Sequence, residues 1–180
     1  MKPKTKSDSA IANVSHSVLF TLFLGVSGLL VLPSAAVATP NLFVCTTFAD
    51  AVTVVDPNTF ATTSILVGDN PIRIAMTPDG SRAFVANTAG DTVSVINTQN
   101  KTVIGTISVG HGPQELTVSP DGTRLYVVHQ ADNFVAVIDA TNGDLVAEVT
   151  IDGTEAKDVL VSPDNAFVYV ANYNNASVAT

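Results

Sequence analysis

The tetrad Phe43-Val44-Cys45-Thr46 returns along the chain as Phe84-Val85-Ala86-Asn87, Tyr126-Val127-Val128-His129 and Tyr169-Val170-Ala171-Asn172. Successive copies are separated by 41, 42 and 43 residues. A period of this length indicates one supersecondary unit that is copied several times along the chain. The spacing of apolar residues inside each copy then decides whether the unit is helical or β.

The apolar residues of each copy follow strand spacing, as in Thr92-Val93-Ser94-Val95, and β-branched residues are frequent. Four strands fit one copy, and for the third copy they are predicted over 114–119, 124–129, 133–139 and 145–151. Recurring turn motifs separate the first strand of a copy from the second: Thr77-Pro78-Asp79-Gly80, Ser119-Pro120-Asp121-Gly122 and Ser162-Pro163-Asp164-Asn165. The chain is therefore predicted to be all-β, built from antiparallel meanders.

A four-stranded meander repeated about every 42 residues is typical of β-propeller blades. The second strands are apolar at nearly every residue, which suits a sheet packed on both faces. The alternative is a β-sandwich, which does not need the same turn to recur about every 42 residues. The units hold three, four, four and at least two strands, about thirteen in all. We therefore predict an incomplete arc of two full and two partial blades, since a closed seven-bladed ring needs roughly 28 strands.

The N-terminal residues have the pattern of a secretory signal peptide. Lysines at positions 2, 4 and 6 precede an apolar run over 18–32, and Ala36-Val37-Ala38 supplies a cleavage pattern before Thr39. An uncleaved membrane anchor is the alternative, although this run is short for a bilayer. The prediction is a signal peptide over 1–38 and a repeat domain over 39–180, exported to the periplasm, cell surface or medium and not inserted in the membrane after cleavage.

Charge and cysteine content exclude some classes of protein. Residues 39–180 carry 5 basic and 15 acidic residues, a formal net charge of −10. Such a domain repels a phosphate backbone, so nucleic acid is an unfavourable partner. Cys45 is the single cysteine, so no disulfide can form within the chain.

The motif order V-G-x-x-P, S-P-D-G and [FY]-V-x-N resembles the YVTN-family β-propeller repeat over residues 42–180. The resemblance is strongest over Gly68 to Asn97, weaker where His129 replaces the tetrad asparagine, and weakest at Gly153-Thr154-Glu155-Ala156, which lacks the loop proline. It implies an exported bacterial or archaeal propeller, similar to surface-layer proteins and commonly seven-bladed. Members of the family are usually binding or interaction modules, which implies a protein or cell-surface polymer as partner.

Binding residues are expected where the loops between units meet the loops between second and third strands. Arg73, Glu115 and Asp158 hold equivalent positions in the first strands, where a ring would place them at the mouth of its channel, and His111 lies on a glycine-flanked loop. These four are the candidate binding residues, although plain channel-lining residues would look the same. His129 is expected to hydrogen-bond its own loop, and Cys45 to pack between strands.

The sequence contains no catalytic motif, no haem-attachment motif and no spacing typical of a metal site. We therefore predict no catalytic residue, metal or cofactor, and a binding module that is not an enzyme. The alternatives are part of a lactonase-like hydrolase or a propeller subunit associated with a redox cofactor. Because an open arc exposes apolar blade faces, further blades or self-association are expected to close the ring, with a fragment of a longer propeller favoured over a native half-ring.

Overall fold

The computed structural model describes residues 41–129, 132–152, 156–172 and 178–179. Contacts divide the chain into two units, Met1–Val37 and Ala38–Thr180, and all the described residues belong to the second. The predicted signal peptide over 1–38 lies outside the described residues. Within the described part of the chain, no helix has both the length and the apolarity needed to cross a bilayer.

The described residues form fourteen strands in four antiparallel sheets. Blade 1 contains β1 (Leu42–Thr46), β2 (Ala51–Val55) and β3 (Thr62–Leu66), with a short 3-10 helix at Thr47–Ala49. Blade 2 contains β4 (Pro71–Met76), β5 (Arg82–Asn87), β6 (Thr92–Asn97) and β7 (Thr102–Ser108). Blade 3 contains β8 (Pro113–Val118), β9 (Arg124–His129), β10 (Phe134–Asp139) and β11 (Leu145–Thr150). Blade 4 contains β12 (Ala156–Val161), β13 (Val168–Asn172) and β14 (Val178–Ala179).

Each sheet is a meander in which strands adjacent in sequence are paired. Two four-stranded blades therefore lie between two three-stranded ones, which confirms the predicted all-β arc of incomplete propeller blades. Predicted and observed strand limits in blade 3 differ by one residue at most. In blade 4, the short β14 provides a third strand beside the two that were predicted.

The hydrophobic core lies between neighbouring blades, and this explains the apolar second strands. In β5, Phe84 and Ala86 pack against blade 3, whereas Ala83 and Val85 pack against blade 1. Both faces of the strand are thus covered, so no position is left for a polar residue facing water. Complete burial of a side chain such as Phe84 contributes about 1.5–3 kcal/mol.

The turns between first and second strands lie at the end of the blades where β4 and β8 finish. In each turn the serine or threonine hydroxyl donates to the aspartate two residues on, in the pairs Thr77–Asp79, Ser119–Asp121 and Ser162–Asp164. These hydroxyls and nearby backbone N–H groups lower the carboxyl pKa values, and that of Asp79 falls to about 2. The same side-chain hydrogen bond therefore stabilises the turn between the first and second strands in three successive blades.

Candidate binding face

The loops at the opposite end of the blades form one surface, here called the loop face. It comprises the described loops 47–50, 68–71, 88–91 and 110–113, together with Arg73 and Glu115, which lie two residues beyond Pro71 and Pro113 at the starts of β4 and β8. Here the loop after the second strand of a blade contacts the connection to the next blade. Thr47 Oγ1 donates to the carbonyl of Pro71 (2.9 Å), and Thr88 Oγ1 donates to that of Pro113 (2.8 Å). The predicted meeting of these loops therefore holds for blades 1 to 3.

Aspartate side chains add a second tie across the same junctions. Asp50 Oδ1 accepts from the N–H of Asn70 (3.0 Å), and Asp91 Oδ1 accepts from that of Gly112 (2.9 Å). Asn70 and Gly112 both have left-handed backbone conformations, with φ of 57° and 61°. Two side-chain hydrogen bonds at each of these two junctions thus fix the loops of consecutive blades relative to one another.

The glycine of the loop between blades 1 and 2 is explained by its contact with the tetrad asparagine of blade 2. Asn87 is buried, and its Nδ2 donates to Thr92 Oγ1 (3.0 Å) and Ser94 Oγ (2.9 Å). A Cβ added at Gly68 would lie 2.5 Å from that nitrogen, so no side chain fits there. The inter-blade loop can therefore cross the asparagine only at a glycine.

Blade 3 replaces this polar arrangement with an aromatic one. His129 takes the asparagine position, is 0% exposed, and stacks on Phe134 with ring centroids 4.4 Å apart. Phe134 and Ala136 stand where blade 2 has its threonine and serine. A Cβ at Gly110 would lie 2.5 Å from Phe134 Cζ, so the inter-blade loop here rests on the phenyl ring.

The expected hydrogen bond between His129 and its own loop is not found among the described residues, although positions 130 and 131 of that loop lie outside them. Neither ring nitrogen has a side-chain hydrogen-bond partner within the described part of the chain, and the Phe134 backbone is the polar group that acts on the ring. Phe134 and Ala136 offer no side-chain hydroxyl in place of the Thr92 and Ser94 hydroxyls of blade 2. Burial lowers the pKa of His129, whereas the Phe134 backbone and the Asp132 carboxylate oppose that shift.

Arg73, Glu115 and Asp158 occupy the same register position in β4, β8 and β12, directly after an irregularity in strand pairing. Arg73 Nε lies 2.7 Å from Glu115 Oε2, and the two side chains are 56% and 19% exposed. The Asp158 carboxylate accepts from the backbone N–H of Val159 at 2.8 Å. Arg73 and Glu115 therefore form an ion pair between blades 2 and 3, whereas the Asp158 carboxylate binds the backbone of its own strand.

His111 is tied to blade 3 and not to this ion pair. Its backbone N–H donates to Asp132 Oδ2 (2.7 Å), and its Nδ1 lies 3.2 Å from the same oxygen. The side chain is 77% exposed on the loop face. These contacts with His111 lower the pKa of Asp132.

Cys45 packs against the core between blades 1 and 2, as expected. Burial raises the pKa of its thiol, and the nearby Arg73 guanidinium acts in the opposite direction. Among the described residues, no group of three or more histidine, cysteine, aspartate or glutamate side chains is placed to hold a metal ion.

Phe48 is a feature of the loop face that the sequence did not single out. Its side chain is 105% exposed, although the loop that carries it is held to blade 2. The available signal was an aromatic residue at a position where the next two copies have alanine, Ala89 and Ala131.

The sheets and repeated loop ties define the class of protein as a β-propeller, present here as an incomplete arc of blades. The chain belongs to the family of YNCE-like beta-propellers, whose family model matches residues 24–169. This agrees with the YVTN-type repeat seen in the sequence. No curated protein matches the chain.

Two solved structures show the same fold. Hydrazine synthase of Kuenenia stuttgartiensis is 31% identical with a TM-score of 0.71, and the match covers 76% of this chain and 40% of that one. A Bacteroides uniformis protein provisionally named a 6-phosphogluconolactonase is 19% identical with a TM-score of 0.62, covering 73% of this chain and 44% of that one. The chain thus spans less than half the length of either structure.

Proposed function

We propose that this protein is an exported, non-enzymatic propeller module that binds a protein or a cell-surface polymer through its loop face. The observation that carries the proposal is a pair of hydrogen bonds, Thr47 to Pro71 with Asp50 to Asn70, that recurs at the next blade junction as Thr88 to Pro113 with Asp91 to Gly112. These bonds turn separate loops into one surface.

A surface fixed in this way suits binding, because a partner does not have to order the loops when it associates. The face also presents side chains able to make specific contacts, among them the Arg73–Glu115 ion pair and His111. A protein or a neutral polymer suits this face better than a nucleic acid does, since residues 39–180 carry a net charge of −10.

A second candidate function is that of a propeller subunit in an enzyme that carries a redox cofactor. The 31% identity to part of hydrazine synthase, which is named as an enzyme, favours a subunit of an enzyme. A lactonase-like hydrolase has weaker support, because a structure at 19% identity shows the fold alone.

The test is binding of the purified, fluorescently labelled protein to envelopes of the producing cells. We expect saturable binding that Arg73→Ala with Glu115→Ala weakens, whereas Lys101→Ala, in the β6–β7 turn at the other end of the blades, leaves it unchanged. Equal effects of the Arg73 and Glu115 double change and of Lys101→Ala would exclude the loop face as the binding surface. Metal-dependent hydrolysis of a sugar lactone by the same protein would support the enzyme instead.

A further inference from the structure

Phe48 has the highest fractional exposure among the large hydrophobic side chains of the described residues. Exposed single hydrophobic residues are common, so exposure alone assigns no role. Phe48 differs from most of them because it lies on the loop face, in the 3-10 helix Thr47–Ala49.

The exposure of Phe48 does not arise from the incomplete arc. Blade 1 has a neighbouring blade on one side only within the described residues, so a missing neighbour could in principle uncover it. Blade 2, however, is packed between two blades, and Ala89 at the equivalent position of its loop is also exposed. This position therefore faces outward from the loop face even where the blade is covered on both sides.

The loop that carries Phe48 is held at both of its ends. Thr47 Oγ1 donates to the Pro71 carbonyl, and Asp50 accepts from the backbone of Asn70. An aromatic side chain on a loop that is already fixed loses little conformational freedom on binding, which is the usual property of an interface anchor.

The charge around Phe48 favours a cationic partner. Asp50 and Asp69 are both exposed, in the two loops that these hydrogen bonds join. Arg73, at the third residue of β4, is the cation that follows these loops in the chain, and it is paired with Glu115 at 2.7 Å. A lysine or arginine side chain approaching the phenyl face would thus meet the negative charge of these two loops and an aromatic ring together.

Building on the proposed function, we propose that Phe48 is the anchor at which the loop face binds a basic segment of a partner protein. In this arrangement the cation lies against the phenyl ring, and Asp50 and Asp69 attract it. A sugar polymer, which would use the ring as a stacking platform without needing a positive charge, is the competing outcome.

The chain offers a matched control in Phe60, which is 77% exposed in the β2–β3 turn at the opposite end of blade 1. The probe is a labelled hexa-arginine peptide, titrated at low ionic strength and followed by fluorescence anisotropy. Phe48→Ala is expected to weaken binding about two- to fivefold, the range of an exposed cation–π contact, and Phe60→Ala to leave it unchanged. Phe48→Trp is expected to strengthen binding, a gain that impaired folding cannot imitate.

Equal affinities of the Phe48→Ala and Phe60→Ala proteins for hexa-arginine would overturn the assignment, as would a failure of the peptide to bind at all. Binding of chitotetraose that depends on Phe48 would replace the basic segment with a sugar ligand. Failure of the Phe48 proposal can be told apart from failure of the proposed function. If envelope binding is lost in the Arg73 and Glu115 variant but kept in Phe48→Ala, the loop face remains the binding surface and Phe48 is not its anchor.

Discussion

Replacing Gly68 with alanine tests the steric reason for the glycine in the repeat. The new Cβ would lie 2.5 Å from Asn87 Nδ2 and 2.7 Å from its Cγ, both in a fully buried side chain. Real Cβ atoms do not approach other atoms this closely, so either Asn87 or the loop must move.

The cost follows from what Asn87 loses when it moves. Its two hydrogen bonds, to Thr92 and Ser94, contribute about 0.5–1.5 kcal/mol each. If the amide stays buried without them, its desolvation is uncompensated, so we expect a loss of about 2–4 kcal/mol in the free energy of unfolding.

The assay is urea denaturation followed by circular dichroism, with Gly105→Ala as the control. A Cβ at Gly105 would lie 4.0 Å from its nearest neighbour in Val95, so that change should alter stability by less than about 0.5 kcal/mol. Asn87→Ala removes the amide that makes the two shortest contacts and leaves only the Asn87 Cβ, 2.9 Å from the new one, so the double change should cost less than the sum of the two single changes. Additive costs, or a Gly68→Ala protein as stable as the wild type, would refute the reasoning.

Two further predictions concern pH. The pKa of Asp121 is lowered from its ordinary value of 3.8, so its carboxylate stabilises the folded protein above pH 3.8, and this stabilisation is lost as the pH falls below that value. Ser119→Ala removes the hydrogen bond that lowers this pKa most, so it should flatten the dependence of thermal stability on pH in this acid range. Identical pH curves for the two proteins would contradict this prediction. His129 has a lowered pKa, so its buried neutral ring costs stability as pH falls below 6.5. Changing His129→Asn, Phe134→Thr and Ala136→Ser together copies blade 2 and should reduce the loss measured by urea denaturation between about pH 7 and 5; an unchanged loss would contradict the burial argument.

The fold could be predicted because two features of the repeat indicate it, the apolar second strands and the turn motifs. The tetrad strands are apolar throughout, and the structure shows why: residues such as Phe84 and Val85 face different neighbouring blades. The turns with proline and aspartate then set where each strand ends. Periodicity and turn chemistry are local properties, so the sequence reveals both.

The loop face was harder to predict because its contacts join different blades. Alignment of the repeats placed Arg73 and Glu115 at equivalent positions, but an ion pair depends on how the blades are stacked and on side-chain conformation. For His129, the position was predicted correctly, yet its stacking on Phe134 depends on changes at two later residues. That signal was present in the sequence, since both residues differ from blade 2 at matching positions.

The central claim is that the partner binds at the loop face, and photo-cross-linking in the producing cells tests it most directly. A p-benzoylphenylalanine would replace Ala89 on the loop face or Thr59 in the turn at the opposite end, both of which are exposed. The account predicts a discrete cross-linked product from position 89 and none from position 59. A product from position 59 alone, or none from either position, would contradict it.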